Sequence, residues 1–201
     1  MATLTIEGTS ADGYIHDDHG IQNIVSGDNL IVGATSSTLD ITDRLFMFFP
    51  PTIQPTDTIN SVSLHYYVSF SSSTFDGYFK IDLCSNGCAG STLELADYGV
   101  VTERTVISSP FVGDFGWVQV NLFTTDISPT EYTNICFSVI TGSEAGSSMS
   151  IDSAENPSGR KPYLSVDYTP AVTESVGTFL LHQDIKRPEA PLPKRGFYSI
   201  K

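Results

Sequence analysis

Three groups of residues in this chain have types and spacings that could do chemistry. The first is "DGYIHDDHG", Asp12–Gly20, where Asp12, Asp17 and Asp18 crowd together with His16 and His19. Oxygen-rich stretches of this kind bind calcium, so a structural calcium ion held by these three carboxylates is one reading. Histidine is not a calcium ligand, however, and the order is not that of an EF-hand loop, so a solvated polar turn is the other. The second group is aromatic. Tyr67, beside His65 on the polar face of a predicted strand, and Trp117, the one tryptophan, are the residues on which a sugar ring could stack. The third is the C-terminal "DIKRPEAPLPKRGFYSIK", which carries Lys186, Arg187, Pro191, Pro193, Lys194, Arg195, Phe197 and Tyr198. Exposed cations and prolines interleaved with aromatics suit an extended arm that docks on a partner.

Nucleophilic catalysis finds little footing. No G-x-S-x-G is present, and the four histidines are His16 and His19 in the polar stretch, His65 on a strand and His182 near the end. None stands in a context that implies activation of a serine or cysteine. Nothing among the many acids singles out a pair for glycoside hydrolysis, so the expected protein is not an enzyme.

These residues must be positioned by β-structure. Forty per cent hydrophobic content in 201 residues is enough for one sizeable core, and only 16 % of the chain is charged. The strongest element is "NSVSLHYYVSF", in which Val62, Leu64, Tyr66, Val68 and Phe70 alternate with Ser61, Ser63, His65, Tyr67 and Ser69. Period two over that length predicts a half-buried strand. The same alternation runs through "WVQVNL", "NICFSVI" and "PYLSVDY", while "RLFMFF", Arg44–Phe49, is nearly all apolar, as a strand covered on both sides should be. Shorter strands are predicted at Leu4–Ile6, Gly13–Ile15, Leu30–Val32, Tyr78–Leu83, Thr105–Ser108 and Met149–Ile151. A single short helix is expected at "SPTEYT", with Ser128 as its cap, Pro129 at its first position and Glu131 three residues after the cap. The fold class predicted is all-β: a jelly-roll antiparallel β-sandwich over residues 1–170, followed by an extended, proline-rich basic arm over residues 171–201.

The charge of −13 is unevenly spread. Residues 1–170 hold 20 acids against Arg44, Lys80, Arg104, Arg160 and Lys161, whereas the arm is net basic. An acidic body argues against a nucleic-acid partner, and no stretch has the ~18 apolar residues of a membrane helix. The start, "MATLTIEGTSADGY", lacks the basic and apolar regions of a secretory signal, so the expected product is assembled in a cytoplasm. Cys84, Cys88 and Cys136 are too few for a disulfide scaffold. "CSNGCAG" reads as a tight turn that a Cys84–Cys88 disulfide could clip, or as a turn with reduced thiols.

Four segments in order carry a family resemblance. "ADGYI" (Ala11–Ile15), "RLFMFF" (Arg44–Phe49), "INSVSLHYYV" (Ile59–Val68) and "SAENPSGRKPYLSVDY" (Ser153–Tyr168) resemble the successive strands of the DNRLRE-type, carbohydrate-binding-module-like jelly-roll domain. The tryptophan-containing middle section associated with that family is poorly represented, and the arm has no counterpart in it. The resemblance implies a fold and a binding or scaffolding habit, as in surface and virion structural proteins, rather than a reaction.

Two functions are expected on these grounds. The first is a structural component of a viral particle, a capsid decoration or a head or tail surface protein of a tailed virus. It would be homo-oligomeric and anchored to other virion proteins through residues 171–201. The alternative is a carbohydrate-binding module for a polysaccharide or host-cell glycan, with Tyr67 and Trp117 as its contact residues.

Overall fold

The structure is a computed structural model, and it describes residues 1–34, 41–71, 79–83, 92–99, 102–108, 116–139 and 147–171. Met1–Ala171 is one compact unit. The residues expected to dock on a partner, Lys186 to Tyr198, lie outside the described residues, as do Cys84 and Cys88.

Among the described residues there are twelve strands, all paired antiparallel. They are β1 (Ala2–Glu7), β2 (Gly13–Asp18), β3 (Ile21–Val25), β4 (Asn29–Ala34), β5 (Ile41–Phe49), β6 (Thr58–Ser71), β7 (Phe79–Leu83), β8 (Thr102–Ser108), β9 (Gly116–Leu122), β10 (Thr133–Val139), β11 (Ser147–Asp152) and β12 (Tyr163–Thr169). One layer runs β1-β12-β6-β9 and the other β3-β2-β5-β10-β7-β8, and the β11–β4 ladder links β6 to β5. The long β6 organises the first layer. It pairs with β12 along its first half, with β11 near its end and with β9 on its opposite edge. The fold is an all-β antiparallel sandwich, as the alternation predicts.

The alternation also says which faces meet. Val62, Leu64, Tyr66 and Val68 of β6 bury against Leu45, Met47 and Phe49 of β5 and Ile135 and Phe137 of β10 in the main core. Tyr66 and Phe137 meet edge to face, with ring centroids 5.1 Å apart. The opposite face of β5 is covered too: Phe46 and Phe48 pack with Ile15, Leu93 and Cys136 in a second, smaller cluster. Burial on both faces is why Arg44–Phe49 lacks the polar residues that alternate elsewhere.

Two local expectations change. "SPTEYT" is a bend, not a helix. The Ser128 hydroxyl does accept the Glu131 amide at 3.0 Å, as a cap would, but Thr133 already begins β10 and no room is left for a helical turn. The short helical turns are 3-10 and fall instead at Leu95–Gly99 and Thr124–Asp126. Strand β3 has no clean alternation to announce it, because it pairs with β2 alone and leaves Ile21 and Ile24 exposed.

Candidate functional site

Side chains on the outer face of the first layer form a grid set by strand register. From Ser61 to Ser69 of β6, and along β9 and β12 up to Asp167, odd-numbered residues point away from the core, since their even-numbered neighbours are buried in it or packed against it. Pairing then places Tyr67 beside Trp117, and Tyr163 and Gln119 on either side of His65. The next rows hold Ser165, Ser63 and Asn121, then Asp167 and Ser61. Aromatics therefore gather at one end of the face and small hydroxyl and amide side chains at the other.

The aromatic end is continuous. His65 stacks on Tyr163 at 4.5 Å, nearly parallel; Tyr163 meets Trp117 at 5.6 Å; Trp117 meets Tyr67 edge-on at 5.7 Å. The Arg160 guanidinium covers the other end of this row, 3.9 Å from the Tyr67 ring centre. Arg160 is itself fixed from below: its Nε lies 2.8 Å from the fully buried Asp152 carboxylate and donates to Ser158 Oγ at 2.9 Å. Half of the Trp117 surface nevertheless stays exposed.

Beside the aromatics the small side chains leave a trough. A cleft of about 660 Å³ is lined by Ser61, Ser63, His65, Gln119, Asn121, Ser165 and Asp167, with Phe123 and Thr124 closing its far end. That volume lies within the range of ligand sites. Serine at three grid positions is the cause, because longer side chains there would fill the trough. Asp167 accepts hydrogen bonds from Thr3 at 2.7 Å and Ser61 at 3.0 Å, and these hold its carboxyl below the ordinary aspartate range. Partial burial pushes His65 below the ordinary histidine range, so its ring is neutral near pH 7.

A scan against protein-family models finds no match for the chain, and a search of curated proteins finds none either.

The predicted pair Tyr67 and Trp117 is thus brought into direct contact, with Tyr163, His65, Gln119, Asn121, Ser63, Ser165, Asp167 and Arg160 around it. Apart from His65, read beside Tyr67 from the outset, and Arg160, which lies before β12 rather than in a strand, those residues were legible only as the outward half of alternating strands; their register was not. The three aspartates near the chain start come apart. Asp12 is buried, and its Oδ1 accepts the Phe48 amide at 2.9 Å. Burial raises its carboxyl to about 7, against the pull of the Phe48 and Ala154 amides. Asp17 accepts from the Gly20 amide at 2.8 Å and from Gln22 at 2.9 Å, and Asp18 bonds His19. His19 and Gly20 both have positive φ and join β2 to β3 in a two-residue hairpin turn, the solvated polar turn of the second reading. No group of three or more metal-ligating side chains occurs among the described residues.

One polar pair was not foreseen. His16 Nδ1 lies 2.8 Å from Asp43 Oδ1, its cross-strand partner on β5. Burial raises the Asp43 carboxyl, and the His16 hydrogen bond opposes that shift. Such a pair is half of a nucleophile-activating arrangement, yet among the described residues no hydroxyl or thiol bonds the His16 ring.

Proposed function

We propose that this protein is a binding module rather than an enzyme, and that it holds a polysaccharide or cell-surface glycan on the outer face of β9, β6 and β12. The observation that carries the reading is the junction of a partly exposed aromatic cluster, Tyr67, Trp117 and Tyr163, with a trough of hydroxyl and amide side chains. Sugars have apolar ring faces and a rim of hydroxyls. The first is taken from water by aromatic rings, the second by groups that both donate and accept hydrogen bonds. The test is a glycan array or affinity gel run with the wild type and with Trp117→Ala and Tyr67→Ala. Retention that disappears with Trp117→Ala supports the reading, and absence of binding at millimolar glycan sinks it. Both side chains stand on the surface grid, so an unchanged circular dichroism spectrum checks that the variants fold.

A second reading rests on the charge contrast between an acidic body and a basic, proline-rich residue range 171–201. On it the protein is a structural component of a viral particle, and the arm docks the body to other virion proteins. Deleting residues 171–201 tests this: assembly of the truncated chain at full occupancy would refute it. The two readings are compatible, since a particle surface protein can also hold host glycans.

A further inference from the structure

From the charge and shape of the trough we infer its ligand class: a single, uncharged oligosaccharide chain lying along β6, with acidic glycans rejected by Asp167. The inference rests on the glycan-binding reading. Its first support is the lining. The trough contains one charged side chain, the Asp167 carboxylate, and no lysine or arginine. His65, the only other titratable group lining it, is held neutral near pH 7 by partial burial. Arg160 stands at the far end of the aromatic row and is already engaged by Asp152 and the Tyr67 ring. A uronate, sulfate or sialate group would therefore meet a carboxylate with no cation to pair it.

The second support is geometric. Tyr67 and Trp117 rings are inclined by 83° and Trp117 and Tyr163 by 59°, so they share no plane on which a flat polysaccharide surface could rest. The trough beside them follows the strand direction. From His65 to Ser61 along β6 the trough itself spans roughly 13 Å at ~3.3 Å per residue, longer than one sugar ring, and the aromatic end at Tyr67 extends the face by two more residues. Rings of one chain run along this face, the first against the Trp117 and Tyr163 edges beside the trough and the next within it over Ser63, Ser165, Gln119 and Asn121. Those four groups both donate and accept, which matches sugar hydroxyls in either role.

The experiment is calorimetric titration of the full chain with cellohexaose, mannohexaose and xylohexaose, and with hexagalacturonate as the acidic probe, in low salt and in 0.5 M salt. The proteins are the wild type, Trp117→Ala, Asp167→Asn and Asp18→Asn, the last removing one charge from the distant β2–β3 turn. At least one neutral hexaose should bind the wild type more than about tenfold tighter than the uronate, with the gap narrowing in high salt and in Asp167→Asn but not in Asp18→Asn. Uronate binding as tight as neutral, abolished by Trp117→Ala, would leave the glycan reading standing and overturn this inference. An equal narrowing in Asp18→Asn would overturn it as well, since the acidic body as a whole would then be the cause. No binding by any hexaose, or binding indifferent to Trp117→Ala, would remove the glycan reading and the inference together.

Discussion

Arg160→Ala should destabilise the sandwich well beyond what a surface arginine normally contributes. Asp152 is fully buried at the end of β11. Its Oδ2 accepts from Ser158 Oγ at 3.1 Å and faces Arg160 Nε at 2.8 Å, and its Oδ1 has no hydrogen-bond partner among the described residues. Without Arg160 the buried carboxylate keeps a single hydroxyl donor. Breaking a buried ion pair from one side costs about 3–5 kcal/mol, mostly as the penalty of the stranded charge. The Arg160 side chain is 38 % exposed, so water enters when it leaves and offsets part of that penalty. A loss of roughly 2–3 kcal/mol is the expectation, somewhat below that range because of the water that enters. At about 2–4 °C per kcal/mol for a domain of this size, Tm should fall by roughly 5–10 °C. The assay is thermal unfolding of the wild type, Arg160→Ala, Asp152→Asn and the double variant. If a stranded charge is the cause, Arg160→Ala should cost under about 1 kcal/mol in the Asp152→Asn background. An equal cost in both backgrounds, or a Tm change under about 2 °C in the single variant, would refute the reasoning.

Other expectations follow from the same contacts. Asp12 titrates near 7 in the fold because burial disfavours its charged form, against 3.8 as a free side chain. The fold therefore favours the proton: that contribution is intact below pH ~4 and is lost as pH rises towards 7, at about 1.4 kcal/mol per unit. The stability of Asp12→Asn relative to wild type should accordingly rise between pH 5 and pH 7 in denaturant titrations, and parallel pH profiles would contradict it. Phe137→Ala opens a cavity beside Tyr66 and should cost about 3–5 kcal/mol, read as a lower denaturant midpoint with an unchanged slope. At Gly20, φ 87°, an added Cβ meets no neighbour within 4 Å, so the cost of Gly20→Ala is backbone strain alone, about 1–2 kcal/mol. A loss much larger than that would mean the hairpin turn does more than reverse the chain.

Much of the scaffold was legible in single residues. Period two in "NSVSLHYYVSF" named Val62, Leu64, Tyr66 and Val68 as the inward face of β6, although Phe70, placed with them by the same alternation, is exposed, and the apolar run of Leu45–Phe49 announced a strand buried on both sides. Local signals failed where local chemistry served another end. Ser128 caps a bend that runs straight into β10, and β3, Ile21–Val25, carries an unpatterned sequence because it pairs with β2 alone and leaves Ile21 and Ile24 exposed. The aspartates of Asp12–Gly20 looked like one oxygen-rich loop, yet Asp12 lies inside the fold and Asp17 and Asp18 belong to a hairpin.

The sequence by itself determined an all-β sandwich, most of the faces its strands would bury and the charge contrast between acidic residues 1–170 and basic residues 171–201, because periodicity and charge are properties of neighbouring residues. It also singled out Tyr67 and Trp117, one from its place on a polar strand face and the other as the lone tryptophan. That these two touch, that Tyr163 and Arg160 complete the row, and that three serines open a trough beside Gln119, Asn121 and Asp167, was decided only by the registers of β9 and β12 on β6. A register slip of one residue would turn every one of these side chains to the opposite face. The pairing that sets the register joins residues far apart in the chain, where no local pattern can record it.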